Sequence, residues 1–345
     1  MEVILYDAKI RILDKPAKVL LLIPLIPMLN AVKINYRYLI AAFIISSGLL
    51  FCLAGYEKLI LRQLRPGSLI NAIQFSAIAI AIASAAIALV ATFIQHYQKK
   101  SFYLILLVFI AASGLWAGIL SQSRGSIIAI PVTIFLIGLL YFPKFNLNKT
   151  KTTLAISITL ILSTTIIYNS PVMKRFQHFT DNLIAYSEGD TTRNSTSIRL
   201  NLWKVALEAG LSAPIVGVGH KQLVAYKKQQ IEHGNYGKEL FRYDNSHSSY
   251  ANAFARRGLI GLIAVVLFLG FPIYYGIKYW RREPQKIAPY TVGLTVFGSV
   301  FFISNITQEV IFLNTGIIMY TGLLVILTSL LSERIKTTKS EEARG

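Results

Sequence analysis

Two arginines and a histidine, each set among polar or small residues, are the side chains of this sequence best suited to chemistry on an anionic substrate. Arg124 lies in Ser121-Gln-Ser-Arg-Gly-Ser126, between two strongly apolar runs. An arginine there can simply snorkel to lipid headgroups. The small residues around it, however, let backbone come close to an anion, and a charge kept at that depth is a functional candidate. Arg199 belongs to Ser197-Ile-Arg-Leu-Asn-Leu-Trp-Lys-Val-Ala-Leu-Glu-Ala-Gly210, whose pattern predicts a helix capped by Ser197 and stopped by Gly210, with Pro214 beyond. It falls in the first predicted turn, where the helix dipole disfavours a cation unless an anion is bound. The alternative is a solvent-facing arginine on an amphipathic helix. His247 sits in Asn245-Ser-His-Ser-Ser-Tyr-Ala-Asn252, just ahead of an apolar run. Its ordinary pKa suits a general base acting on a hydroxyl. From its surroundings alone it ranks only modestly above His220, which closes Pro214-Ile-Val-Gly-Val-Gly-His220.

Other chemistries lack their residues. There is no Asp-x-Asp, no His-Glu-x-x-His, no Gly-x-Ser-x-Gly and no phosphate-loop motif. Neither a metal nor a cofactor is therefore expected. Acids are nearly missing from the apolar runs, which counts against an ion-coupled transporter. Glu309, at the outer end of the last predicted helix pair, is the acid placed to matter. The single Cys52 rules out an intrachain disulfide.

The elements that must position these residues are membrane helices. Hydrophobic residues make up 54% of the chain and mean hydropathy is +0.54, too apolar for an ordinary soluble domain of 345 residues. About nine windows are long enough to cross the hydrocarbon: 17–32, 38–55, 69–94, 102–120, 126–142, 153–169, 258–277, 288–306 and 311–332. The expected fold is an all-α, polytopic transmembrane protein with one long polar loop that contains helices. Residues 1–170 would form a first region of about six helices, 171–257 the loop carrying the chemistry, and 258–345 a last region of about three helices with a tail.

Orientation follows from the lysines and arginines of the short connections, since basic residues are retained on the cytoplasmic side. Lys33 and Arg37, Lys99 and Lys100, Lys144, Lys149 and Lys151, Lys278, Arg281, Arg282 and Lys286, and the tail residues Arg334, Lys336 and Lys339 all fall on one side. That places the long loop outside, together with Arg65, Arg124 and Glu309. These connections account for about 15 of the 35 basic residues behind the net charge of +19, and anionic lipid headgroups, not nucleic acid, are the expected partner for them. Lys58, Arg62 and Arg65 are the exception, a basic cluster in an outer connection where the rule predicts few, and they point to a polyanionic ligand on that face.

At these residues the chain resembles the bacterial O-antigen ligase and O-antigen polymerase family. The resemblance rests on Ser121-Gln-Ser-Arg-Gly125; on the Arg-x-x-x-Trp of Arg199 to Trp203 followed by Pro214-Ile-Val-Gly-Val-Gly219; on the His-x-x-Tyr of His247 to Tyr250 followed by Gly258-Leu-Ile-Gly261; and more weakly on Arg65-Pro-Gly-Ser-Leu-Ile-Asn-Ala-Ile-Gln74. It implies an enzyme of the inner membrane that works on the periplasmic face. Such an enzyme moves a glycan from undecaprenyl pyrophosphate to an acceptor sugar, the lipid A core for a ligase or a second lipid-linked glycan for a polymerase. By resemblance Arg124 and Arg199 hold the donor pyrophosphate and His247 is the base; Arg65, in the weaker block, and Glu309, from its place at the outer face, are taken as further substrate-binding residues. Two arginines on a pyrophosphate make it a good leaving group without metal or nucleotide. A transporter of lipid-linked glycans is the reading from another class, but it would need basic residues along a path through the membrane, and almost none are there.

The sequence departs from the family in two ways. Six helices are expected before the long loop where ligase-type members usually carry more, which points to a shortened N-terminus. The motif that often reads His-x-His-Asn is here Asn245-Ser-His247-Ser248, so only the second histidine is kept.

The topology makes a direct prediction. A cysteine placed at position 235 should react with an impermeant thiol reagent added outside intact cells, and one placed at 281 should not. The opposite pattern overturns the orientation.

Overall fold

The computed structural model describes residues 14–22, 24–31, 36–67, 70–94, 101–141, 171–188, 194–282 and 285–343. Among them every regular element is a helix. In chain order these are α1 (Asp14–Leu22), α2 (Leu25–Ala31), α3 (Tyr36–Leu59), α4 (Ala72–Ile94), α5 (Ser101–Leu120), α6 (Arg124–Ile127), α7 (Ala129–Tyr141), α8 (Pro171–Ser187), α9 (Ser195–Leu211), α10 (Gly219–Glu232), α11 (Ser249–Arg282), α12 (Ala288–Thr307) and α13 (Asn314–Glu342). Short 3₁₀ turns join several of them.

The fold is all-α and multi-pass. Five described helices are long and apolar enough to cross a membrane: Arg37–Leu59, Ala72–Thr92, Ser249–Arg281, Gln285–Thr307 and Asn314–Glu342. Shorter apolar helices stand at three more of the expected windows. The first of these, 17–32, is divided between α1 and α2, with Pro24 in the turn between them. A proline interrupts the backbone ladder, and two short pieces result. The window at 153–169 lies outside the described residues.

The chain gathers into two compact units. One takes in residues 166–268 and 305–312, together with the first sixteen; the other takes in 17–165, 269–304 and 313–345. The second unit holds most of the membrane helices. Within it α4 and the α12 span are interior, with 83% and 89% of their apolar windows buried, whereas the α3 window is 28% buried and keeps its side chains for lipid. Hydrophobicity cannot drive helix association inside lipid, so close backbone approach through small residues has to. Ala79, Ala83 and Ala117 are fully buried. A Cβ added to Gly114 would lie 2.4 Å from Ser47 Oγ, and one on Gly118 2.4 Å from Ile80 Cγ1. Hydroxyls tie the same helices: Ser47 Oγ donates to Ala111 O at 2.6 Å, and Ser76 Oγ to Gly118 O at 3.0 Å. At the other end of α4, Ala88 packs with Leu140, Val292 and Val296. There Tyr141 donates to Ala88 O, and Trp280 Nε1 to Leu140 O at 2.9 Å.

The first unit is built around a break in α11. At Gly258 the backbone turns to φ 60, ψ −155, a conformation essentially restricted to glycine. The helical ladder fails there, and two amides look elsewhere for acceptors. Leu259 N donates to Pro214 O at 2.7 Å and Ile260 N to Ile215 O at 3.4 Å. In return Val218 N donates to Ala255 O at 2.8 Å. The loop that provides these groups has its own glycine, Gly217, at φ 72. Each glycine is needed by the other segment as well as by its own turn: a Cβ on Gly217 would stand 2.3 Å from Arg257 N, and one on Gly258 2.3 Å from Ile215 C. Two segments distant in sequence are thereby locked backbone to backbone. Around the lock, α9 packs on α10 and α11 through Ala206, Ala209, Leu223 and Ala255. Nearer its start, α9 packs through Leu202 and Val205 onto Ile231 and Leu240.

Gly258→Ala should therefore be costly, by at least about 1–3 kcal/mol of backbone strain before the steric overlap is counted. Thermal unfolding in detergent should show a clear loss, with Gly270→Ala, where a Cβ meets nothing within 4 Å, as the harmless control. Equal melting of the two variants contradicts the lock.

Candidate functional site

In the first unit the segment Asp244–Ser248 delivers His247 to the head of α11. Ser248 caps the helix, its Oγ accepting from Ala251 N at 3.3 Å. Ser249 then anchors the first turn. Its amide donates to Gln308 O at 3.2 Å, and its hydroxyl to Asn305 Oδ1 at 2.6 Å. Asn305 Oδ1 also accepts from Ile311 N at 3.2 Å, tying the anchor to the turn that follows α12. On the other side of the histidine, Ser246 Oγ lies within donating distance of Glu309 Oε1 (3.3 Å) and Ser248 O (3.0 Å). Ser246, Ser248, Ser249, Asn305, Gln308 and Glu309 are all buried. Buried polar groups of this kind must be paired, and here the pairing fixes the backbone on both sides of one residue. That residue, His247, is held at φ 55, a left-handed conformation uncommon outside glycine. Such an outlier survives only where its surroundings over-determine it, and it is a marker of functional sites.

The imidazole is half-buried, with the Tyr243 ring edge-on at 5.2 Å between centroids. Burial lowers its pKa from the usual histidine value, and the positive charge of Arg199 lowers it further. Both causes disfavour the protonated ring. The neutral form is thus favoured, and it is the form in which a ring nitrogen can accept a proton.

Arg199 reaches this position differently from the sequence expectation. The cap of α9 is Asn194, not Ser197, and the helix runs to Leu211, past Gly210, with Ser212 as its C-cap. Asn194 Oδ1 accepts from Thr196 N and Ser197 N at 2.9 Å each, and Ser197 Oγ accepts from Asn194 N at 3.3 Å. This reciprocal arrangement is a capping box with serine in the third place. Arg199 accordingly lies one turn in, and the capped amides are not open to an anion. The expected phosphate site at a bare helix N-terminus is absent; what distinguishes Arg199 is its charge beside His247.

Of the five residues singled out from the sequence, Arg199, His247 and Glu309 fall in the first unit. Arg65 and Arg124 fall in the second, near one turn. Arg65 Nε donates to Ser121 O at 3.3 Å, three residues before Arg124. The connection bearing Arg65 is held from within by buried Glu57, whose Oε2 accepts from Gly67 N at 2.8 Å. After α5 the chain turns through Gln122 at φ 57, and Arg124 opens the short helix α6 among buried Ser123, Ser126 and Ile127. His220 lies in the first turn of α10. Among the described residues no cluster of His, Cys, Asp or Glu is arranged to hold a metal.

Residues not singled out from the sequence complete the first unit's site: Ser246, Ser249, Asn305 and Gln308. Asn305 and Gln308 did carry a signal, as amides at the end of an otherwise apolar run. Which serine of the Ser246–Ser249 stretch would meet them had none.

A multi-pass, all-α membrane protein with a half-buried histidine at the head of a broken helix is the class this geometry defines. Within it the chain resembles the O-antigen ligases: residues 109–266 match the model of the O-antigen ligase family, a stretch that includes Arg124, Arg199 and His247. An uncharacterized protein of Haemophilus influenzae is 27% identical over 327 residues, covering 93% of this chain and 80% of that one. An O-antigen ligase of Escherichia coli strain K12 is 22% identical over 188 residues, covering 54% of this chain and 44% of that protein.

The electrostatics predict a titration. Arg199→Gln removes one of the two causes that hold the His247 pKa down, so the ring should titrate at higher pH than in the parent. Histidine-labelled NMR of the purified protein reads this directly, and a midpoint that stays put or falls contradicts the coupling.

Proposed function

We propose that this protein is a glycan ligase of the bacterial inner membrane. It moves a glycan from undecaprenyl pyrophosphate to a hydroxyl of the lipid A core on the periplasmic face, in lipopolysaccharide assembly. One observation carries the reading: a half-buried imidazole, its neutral form favoured by burial and a nearby arginine, lies in the stretch that matches the O-antigen ligase family. An arginine fork suits a pyrophosphate, and a neutral imidazole suits the acceptor hydroxyl.

In the proposed step His247 takes the proton of the acceptor hydroxyl as its oxygen attacks the anomeric carbon. The bond from that carbon to the pyrophosphate oxygen breaks, and undecaprenyl pyrophosphate leaves with the electron pair. A single displacement inverts the anomeric centre. Arg199 steadies the charge that develops on the leaving group. Arg124 is assigned to donor binding through the family resemblance, Arg65 is kept as a further substrate-binding residue, and Glu309 supports the His247 segment through Ser246. The mechanism asks for neither metal nor nucleotide.

Purified protein given a lipid-pyrophosphate glycan and lipid A core should form the joined product in the presence of a chelator and without nucleotide. Elongation of the lipid-linked glycan in place of joining identifies a polymerase instead. No product of either kind rejects the reading.

His247→Ala should lower turnover by roughly 100- to 10,000-fold, the usual worth of a positioned base, and leave donor binding nearly intact. His247→Gln should be equally poor, and parent-like turnover by that variant removes the base role. Arg124→Lys and Arg199→Lys should each lose about 3 kcal/mol of transition-state stabilisation, because an ammonium cannot reproduce a bidentate fork. Parent rates for both lysine variants reject the clamp.

A further inference from the structure

Lys227, on α10, is only 6% exposed. Lysine is rarely buried to this degree unless its ammonium is paired. Here the ammonium donates to the main-chain carbonyl of Tyr243. Burial lowers its pKa, and the carboxylate of Asp244 works in the opposite direction. Mere filling of the space between α9 and α10 would be met by leucine or methionine. What lysine adds is a charge-assisted bond to one particular carbonyl. That carbonyl belongs to the residue whose ring stands edge-on to His247, at 5.2 Å and 72°. The rest of the ring packs into the cluster of Leu202, Val205, Ile231 and Leu240. A connected path therefore runs from α10, through the Tyr243 backbone and ring, to the imidazole. It meets the histidine segment opposite the anchors that Glu309 and Asn305 provide.

We propose that Lys227 is a positioning residue for the base: by holding the Tyr243 carbonyl it sets the aromatic ring that covers the imidazole of His247, keeping the ring nitrogen dry and aimed. This rests on the assignment of His247 as the base under the proposed function. The charged or titratable groups about the segment are Arg199 from α9, Lys227 from α10, Tyr243 and Asp244 in the segment itself, and Glu309 after α12. With Lys227 removed, the Tyr243 ring loosens and water reaches the imidazole. The largest cause of its lowered pKa weakens, and protonation of His247 shifts to higher pH.

The test uses the full-length protein in detergent, with Lys227→Met, Lys227→Arg, Tyr243→Leu and His247→Ala. Three quantities are read: the His247 titration midpoint by labelled-histidine NMR, the pH–rate profile of glycan transfer, and thermal unfolding. Lys227→Met should lower kcat by about 10-fold or more through misplacement of the base, leave the donor KM unchanged, and raise the His247 midpoint. Tyr243→Leu should raise the midpoint in the same way while Lys227 keeps its bond to the carbonyl. Lys227→Arg, which can still donate, should recover most of the lost kcat. A contribution to folding alone would lower the melting temperature and leave the midpoint unmoved. If Lys227→Met does not fold, Tyr243→Leu and Lys227→Arg carry the test. An unmoved midpoint in Tyr243→Leu, or in a folded Lys227→Met, overturns the positioning role. His247→Ala that transfers glycan at the parent rate instead overturns the base assignment, whatever the Lys227 variants do.

Discussion

The break in α11 at Gly258 is the constraint on which the rest of the first unit depends. A helix that is to carry a polar, buried anchor at its head and apolar residues along its body has to change direction without abandoning backbone amides to an apolar environment, where each would cost several kcal/mol. The carbonyls of Pro214 and Ile215 accept from Leu259 and Ile260, and Ala255 accepts from Val218. Neither segment is complete alone. Because α9 ends and α10 begins on either side of the Pro214–Gly219 loop, the lock also fixes where those two helices meet α11. The positions of Arg199 on α9 and Lys227 on α10 relative to His247 follow from it.

A second layer of constraint acts on His247 itself. Its left-handed backbone costs energy. The neighbouring serines return that energy through hydrogen bonds made in a buried setting, where an unmade bond is expensive. Ser249 is tied to Asn305 and Gln308, and Ser246 to Glu309. The acceptors are residues at or just beyond the end of α12, otherwise a run of apolar and small side chains. Polarity that looks misplaced in a membrane helix is thus explained by the segment it holds.

The second unit solves a different problem with different residues. Helices in lipid gain little from hiding apolar side chains from one another, so α3, α4 and α5 approach through alanine, glycine and serine, with hydroxyl-to-carbonyl bonds from α3 and from α4 to α5. α4 is largely buried, whereas the α3 span is largely exposed. Bulk is turned toward lipid, and the interior is kept narrow.

The membrane helices were legible in the sequence because a span of apolar residues long enough for the hydrocarbon is a one-dimensional signal. All but one of the expected windows fall on described residues and contain a helix there; the window at 153–169 lies outside them. Arg199 and His247 were legible as polar, reactive residues in motif-like settings, as were the glycines of Pro214–Gly219 and Gly258–Gly261. The cap of α9 was misjudged, because asparagine and serine three residues apart are both good caps and only the fold selects between them. The closeness of Arg199 to His247, the reason Gly217 and Gly258 must both lack a Cβ, and the buried bond from Lys227 to Tyr243 left no trace in local pattern. Each joins segments far apart in sequence, and such a pairing is created by tertiary packing, where backbone geometry and burial determine which polar groups can find partners.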